Sequence, residues 1–279
     1  MADDLSALRS MVYPGRVIII GRTPDGRHDV VVYAVTGRSP SSRARRLVHD
    51  GGGTIRTEVT DPDLLPGGNE KLLLYRCLRP FPGGLAVSNG AQTDQIAETA
   101  RGLAAEPAGA EAPSGKPVLP PAVEILRRAF RRPHLISGID VTAYEPDAPA
   151  YTPRISGCLA DDAALAIIRR LPGGDPDRQY FAVPLVPGQG RLLATYNGEN
   201  RDPLPAFRGD PREVGIAGKT PQETAEAVFE ALGPSTDHTP ESAPDGGGPD
   251  LRVGVAVIFR YRQTGELETA VINRTKGGS

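Results

Sequence analysis

Four stretches of the chain gather side chains that could do chemistry. "TGRSPSSRARR" carries Arg38, Arg43, Arg45 and Arg46 just past a β-branched run. Guanidinium forms bidentate, charge-assisted hydrogen bonds with phosphate, so the cluster suits a phosphate group; a solvated basic loop is the plainer alternative. "LLLYRCLR" holds Tyr75 inside an apolar run, where a core tyrosine with a satisfied hydroxyl is the usual explanation. "AYEPDAPAYTPRI" sets Glu145, Asp147 and Arg154 among prolines. Such a rigid loop could aim a carboxylate into a cleft, or be a loop and nothing more. "LAVSNGAQTDQI" collects Asn89, Thr93 and Asp94 at a strand-to-helix corner. A tight turn explains part of that polarity. A ligand wall explains more, since a helix N-terminus favours an anion.

The surrounding pattern predicts what positions these groups. "GRVIIIGR", "PDGRHD" and "VVVYAVTGR" read as two β-branched strands around a turn. "EKLLLYRCLR" and "GLAVSNG" read as a second pair joined by "PFPGG". "TDQIAETARGLA" predicts a helix with Thr93 or Asp94 as its N-cap. "AVEILRRAFRR" predicts another, with Val123, Leu126 and Phe130 on one face. "TPRISGCLADDAALAIIRRL" fits either a hairpin turning at Ala-Asp-Asp or a helix. "QYFAVPLVPGQGRLLATYNG" reads as two strands around a Pro-Gly turn. In "TPQETAEAVFEALG", Thr220 and Glu223 make a capping box and Pro221 takes the first helical position. "RVGVAVIFRYR" and "LETAVINR" close the chain as a hairpin. Many antiparallel strands with a few helices, and no run of βαβ units, predict sheets packed together with helices outside. The Pro/Ala/Gly-rich stretches 104–121 and 234–250 are expected to be mobile insertions in a single domain over 1–279.

Composition narrows the function classes. The 279 residues have a formal net charge of −2, which argues against a general affinity for nucleic acid or anionic membrane and leaves room for a local basic pocket. No apolar run approaches the ~20 residues that span a bilayer, and "MADDLSALRS" lacks the apolar core of a signal peptide. A cytoplasmic location is expected. Cys77 and Cys158 have no metal-ligand spacing and read as reduced thiols. There is no Walker loop, no dinucleotide fingerprint and no zinc spacing. His28, His49, His134 and His238 are scattered, and Met1-Ala2 offers no amino-terminal Ser, Thr or Cys nucleophile.

In order along the chain, "YPGRVIIIGR", "TGRSPSSR", "LYRCLR", "AVSNGAQTDQI", "YEPDAPAYTPRI" and "ATYNGEN" resemble the archaeal-type IMP cyclohydrolase family. The V-S-N-G-x-x-T-D and T-P-R-I blocks are the most specific, and the likeness covers most of residues 13–232. Gly37 stands where the family tends to have Ser, and after Gly233 the correspondence is poor. The resemblance implies an α+β fold: a four-layer αββα sandwich of mostly antiparallel sheets, like the amino-terminal-nucleophile hydrolases but without their nucleophile. It implies closure of 5-formamidoimidazole-4-carboxamide ribonucleotide to IMP with loss of water, the last step of purine biosynthesis, with no cofactor, no metal and a symmetric homo-oligomer.

For that reaction, Tyr75, Glu145 and Arg43 are the expected catalytic residues, and Arg38, Asn89, Thr93, Asp94 and Arg154 the substrate-binding ones. Arg43 and Arg38 would bind the phosphate or polarise a carbonyl. Tyr75 would donate to the formyl oxygen and protonate the leaving hydroxyl. Glu145 would accept the carboxamide proton or orient its NH2, and Arg154 would hold Glu145 or the phosphate. Asn89, Thr93 and Asp94 would face the base, the ribose or a neighbouring loop. Ring closure on a related nucleotide in specialised metabolism, a non-catalytic purine-nucleotide-binding protein, and a partner-binding module with Pro-rich contact segments are the alternatives.

Overall fold

The computed structural model describes residues 5–64, 70–105, 119–234 and 249–275. Most of the two stretches expected to be mobile therefore lies outside the described residues, at 106–118 and 235–248. The β-branched runs form two sheets whose strands pair antiparallel. The six-stranded sheet takes its centre from β1 (Arg16–Arg22) and β2 (His28–Thr36), in a register that sets Ile18 opposite Tyr33. On the β1 side follow β12 (Gln189–Ala194) and β13 (Arg212–Gly215). On the β2 side follow β14 (Arg252–Tyr261) and β15 (Leu267–Asn273). The seven-stranded sheet runs β11 (Pro176–Val183), β10 (Ala163–Arg170), β9 (Arg154–Leu159), β6 (Gly84–Ser88), β5 (Arg76–Phe81), β4 (Ile55–Val59) and β3 (Arg45–His49). A small pair, β7 (Leu135–Ile136) and β8 (Ile139–Asp140), stands apart.

Alternation within strands decides which face meets what. Along β10, Leu165 and Ile167 join the cluster that contains Ile18 and Val32 of the other sheet, whereas Ala164, Ala166 and Ile168 join the cluster of Ile96, Ile125 and Leu126. Those last three lie on α4 (Gln92–Ala105) and α5 (Ala122–Ala129), which pack on the seven-stranded sheet. Alanines on that face let the helices approach closely. α6 (Pro221–Ala231) packs on β14, β15 and β2. The sheets meet through β1 with β9, β2 with β6, and β3 with β14 and β15. Each fully buried Ile or Val contributes about 1.5–3 kcal/mol. Short helices α1 (Ser6–Arg9), α2 (Pro40–Arg43) and α3 (Glu70–Leu73) complete the elements.

Several expectations are refined. "TPRISGCLADDAALAIIRRL" is the β9–β10 hairpin, turning at Ala160–Asp162, because each face of its apolar run has a layer to bury against. β11 and β12 are not a hairpin: they belong to different sheets, and the "PLVPGQG" stretch carries the chain between them. "EKLLLYRCLR" opens as α3, so Tyr75 directly precedes β5 rather than lying inside it. α4 starts at Gln92, so Thr93 and Asp94 lie inside its first turn rather than capping it. At α6 the Thr220 hydroxyl accepts from Glu223 N at 3.1 Å, but the Glu223 carboxylate accepts from Lys219 N, so only half of the capping box forms.

Candidate functional site

Between the sheets, at the head of β1, lies a buried cluster of ionisable groups. Gly15 brings the chain there. Its φ is +76°, and a Cβ on it would come 2.7 Å from the Tyr196 ring. Arg16 follows, almost fully buried, with its backbone bonded to Thr195 on β12's exit. Glu145 comes from the irregular segment between β8 and β9. Asp147 folds that segment back by accepting from Thr152 N at 2.7 Å, and Glu145 N donates to Thr152 O at 2.9 Å. The result leaves Glu145 only 2% exposed.

The Glu145 carboxylate is enclosed but unsaturated. Its Oε1 is 4.0 Å from Arg16 Nη2 and 3.8 Å from Arg154 Nη1, near enough for attraction and too far for a hydrogen bond. Among the described residues Oε1 has no hydrogen-bond partner, and neither do Arg16 Nε or Arg45 Nη1. Buried polar atoms are nearly always paired, so the Glu145 and Arg16 orphans, one beside the other, mark a place built for something else to bond. Burial raises the Glu145 carboxyl above its ordinary value of 4.5, against the opposing pull of Arg16 and Arg154. Burial likewise opposes the Arg154 and Arg45 charges and lowers both.

Three tyrosines complete the cluster. The Tyr33 and Tyr75 hydroxyls share a 2.7 Å hydrogen bond. Tyr33 is pushed up by burial, then by Tyr75. Tyr75 is held by its backbone: its N donates to Thr57 Oγ1 at 3.0 Å and its C=O accepts from Thr57 N. Tyr196, raised by burial to about 12, shares a 3.1 Å bond with Thr152.

Tyr75 and Arg154 open onto a cleft of about 790 Å³. Its walls combine Leu72, Leu74, Ile136 and Ile139 with ionisable groups, among them Asp94. The Ser-Asn-Gly corner forms its scaffold. Asn89 Oδ1 accepts from Ile155 N and from Gln92 Nε2, both at 2.9 Å, and Asn89 Nδ2 donates to Pro153 O. Gln92 Oε1 in turn accepts from Arg154 Nη1 at 3.0 Å, and Arg154 Nε donates to Ala143 O. Gly90 lets both side chains approach closely, since a Cβ there would lie 2.6 Å from Arg154 Nη1 and 2.5 Å from Gln92 Oε1. Thr93 is buried and bonds Ser88 and Gly90 O. Asp94 faces the cleft and accepts from Arg76 and Arg79.

The structure thus gathers Tyr75, Glu145 and Arg154, and places Asn89 and Thr93 in the framework that holds Arg154. Arg43 is exposed and lines a neighbouring cleft instead. Arg38 reaches Asp202 at 2.7 Å and Asn200 at 3.4 Å. Sequence reasoning passed over Arg16, Tyr33 and Gln92. Arg16 had a signal, a charge at the head of a β-branched run. Tyr33, in the middle of "VVVYAV", had none.

A family model described as IMP cyclohydrolase-like protein matches residues 13–112 and 125–239. No curated protein matches the chain. Solved structures similar to it include Anbu from Hyphomicrobium sp. strain MC1, at 11% identity over 92% of this chain and 87% of that one, TM-score 0.28. Anbu (ancestral beta-subunit) from Yersinia bercovieri also has 11% identity, over 92% and 87%, with TM-score 0.26.

Proposed function

The chain belongs to the IMP cyclohydrolase-like family, and from that premise we propose that it closes 5-formamidoimidazole-4-carboxamide ribonucleotide to IMP with loss of water, a step of purine biosynthesis. The fold that serves it is a four-layer αββα sandwich of the amino-terminal-nucleophile-hydrolase kind, working in the cytoplasm as a homo-oligomer. The packing of α4 and α5 on one sheet, α6 on the other, and sheet on sheet between them supports that layering. The observation that carries the reaction is the unsaturated, buried Glu145 carboxylate beside Arg16 and Arg154, with Arg154 on the same cleft wall as Tyr75.

The chemistry is intramolecular. The carboxamide nitrogen attacks the formyl carbon, forming the new C–N bond and turning the formyl oxygen into a hydroxyl. The hydroxyl then leaves as water, with a proton from the former formamide nitrogen. Both reacting groups stand on adjacent ring atoms, so holding them in attack geometry can supply up to about 7–11 kcal/mol of the barrier. The apolar Leu and Ile walls bury the imidazole. Tyr75, at the cleft wall, donates to the developing oxyanion and then to the leaving hydroxyl. Tyr33 keeps the phenol in place by sharing its hydrogen bond. Glu145, raised by burial, is a better acceptor for the carboxamide proton than a solvated glutamate. Arg16 and Arg154 pull toward its ionised form, against burial, and are positioning residues in this scheme. Asp94, on the cleft wall, contacts the substrate's ribose or base edge; Arg38, paired to Asp202, lines neither cleft and takes no part in this scheme.

The test is to incubate purified protein with the formamido nucleotide and follow purine absorbance. Conversion is expected, with Tyr75→Phe lowering kcat by about 10²–10⁴-fold while KM changes little. No conversion by the wild type, or unchanged turnover in the variant, contradicts the proposal.

A further inference from the structure

A second cleft, of about 840 Å³, adjoins the first, with Val59 on both walls. Arg43, Arg45, Arg46, Arg252 and Arg274 line it, and among the described residues no carboxylate stands on its wall. The first cleft differs: Asp50, Glu58 and Asp94 there face Arg56, Arg76 and Arg154, three against three. Of the two walls, the second is the one with an excess of cationic side chains.

Arg45 is the group that makes it a built site. β3 alternates, so Arg45 points inward with Leu47 while Arg46 points out. Arg45 is 4% exposed, and its Nε is fixed on Ser42 O at 3.0 Å. Its Nη1 has no partner, although the side chain lines the cleft. Burial and the like charge of Arg16 both work against the Arg45 cation, so it gains more than a surface arginine would from an anion. The others are partly committed. Arg46 Nε donates to Glu58 at 2.9 Å, Arg252 Nε to Asp250 at 2.9 Å, and Arg274 is 3.8 Å from Asp250. Arg43 makes no side-chain hydrogen bond or ion pair among the described residues.

Two of these arginines come from the C-terminal hairpin, beyond the last residue matched by the family model. Asn273 clamps that hairpin to β3, accepting from Leu47 N at 2.7 Å and donating to Leu47 O at 2.9 Å. Arg274 N donates to Val253 O at 2.9 Å, which closes the floor. We propose that this cleft is a phosphate-monoester subsite, built around Arg45 and completed by the C-terminal hairpin, which holds the 5′-phosphate while the base lies against Tyr75. The identity of that phosphate as the substrate's own rests on the ring-closure reading; the anion subsite itself does not.

The probe is inorganic phosphate, titrated calorimetrically into the full chain at fixed ionic strength, alone and then with IMP or inosine present. Saturable binding is expected, with phosphate weakening IMP and leaving inosine unaffected. Arg45→Met should weaken phosphate about tenfold or more, as expected for a lost charge-assisted hydrogen bond, and Arg274→Gln by a smaller factor. Should Arg45→Met fail to fold, the exposed Arg43→Gln carries the same expectation of weakened binding. Absence of saturable binding overturns the subsite, as does binding unchanged in the folded variants. Phosphate that binds without weakening IMP overturns the assignment to the substrate's tail. Turnover is not read here, so an inactive protein that binds phosphate as described contradicts the ring-closure reading and not the subsite.

Discussion

Two buried carboxylates in this molecule, Asp29 and Glu145, each face several arginines, and they are finished differently. Asp29, on β2, is saturated: Arg22 Nε and Nη2 reach it at 2.9 Å and Arg260 Nη2 at 3.3 Å. Arg260 also donates to Gly83 O and Ala160 O, which pins the six-stranded sheet to two turns of the other. Arg260 Nε has no partner even so, and the difference lies in the carboxylates. Glu145 is equally buried, yet its nearest guanidinium nitrogens stand at 3.8 and 4.0 Å and its Oε1 bonds nothing. A structural ion pair spends its hydrogen-bonding capacity on the protein. A reactive one keeps some for a substrate.

The sharpest way to break that contrast is to neutralise each acid without changing its shape. Glu145→Gln should lower turnover by about 10²–10⁴-fold, the usual effect of a positioned proton acceptor. Its stability should hold or rise slightly, because a carboxyl whose pKa is raised by burial is more stable neutral than charged. Asp29→Asn should do the reverse. It should cost about 3 kcal/mol, the lower end for breaking a buried pair, since Arg22 and Arg260 keep some solvent contact. Activity per folded molecule should hold. Chemical denaturation and steady-state kinetics on both variants check this, and equal losses of stability would erase the distinction.

A pH series sharpens it further. The folded-state pKa of Glu145 is raised, so the native protein holds a proton above pH 4.5 that the unfolded chain has released. That contribution to stability is present at lower pH and is lost as pH rises through the raised value. Turnover, needing the ionised form, rises over the same window. Stability and activity should therefore slope in opposite directions there, and Glu145→Gln should flatten both slopes.

The smallest effect is expected at the scaffold. In Gly90→Ala the new Cβ presses on the ends of Arg154 and Gln92. Those ends can shift, so turnover should fall about tenfold with little change in melting temperature. A loss of stability larger than the loss of turnover would mean that the corner serves the core rather than the site.

How much of this was legible in the sequence depended on the range of the interaction. The hairpins around "PDGRHD" and "QTGE", the α6 start at Thr220 and the two-sheet character follow from local pattern and turn chemistry. Tyr75, Glu145 and Arg154 were nameable because their local motifs resemble a known family. The partners that give them meaning were not. Tyr33 meets Tyr75, 42 residues away, only because β2 of one sheet faces the segment that enters β5 of the other. Asn89 looked like a ligand wall and is occupied by Ile155, Gln92 and Pro153, contacts fixed by the β6–β9 pairing. The separation of β11 from β12 was hidden for the same reason: a Pro-Gly turn reads alike whether the chain folds back or crosses to another sheet.

The measurement that tests the central claim most directly is the pH dependence of formamido-nucleotide turnover in wild type and Glu145→Gln. The account predicts an acid limb in the wild type with its midpoint above 4.5, and in the variant a residual rate that no longer shows that limb. A variant that turns over as fast as the wild type, along the same profile, would contradict it.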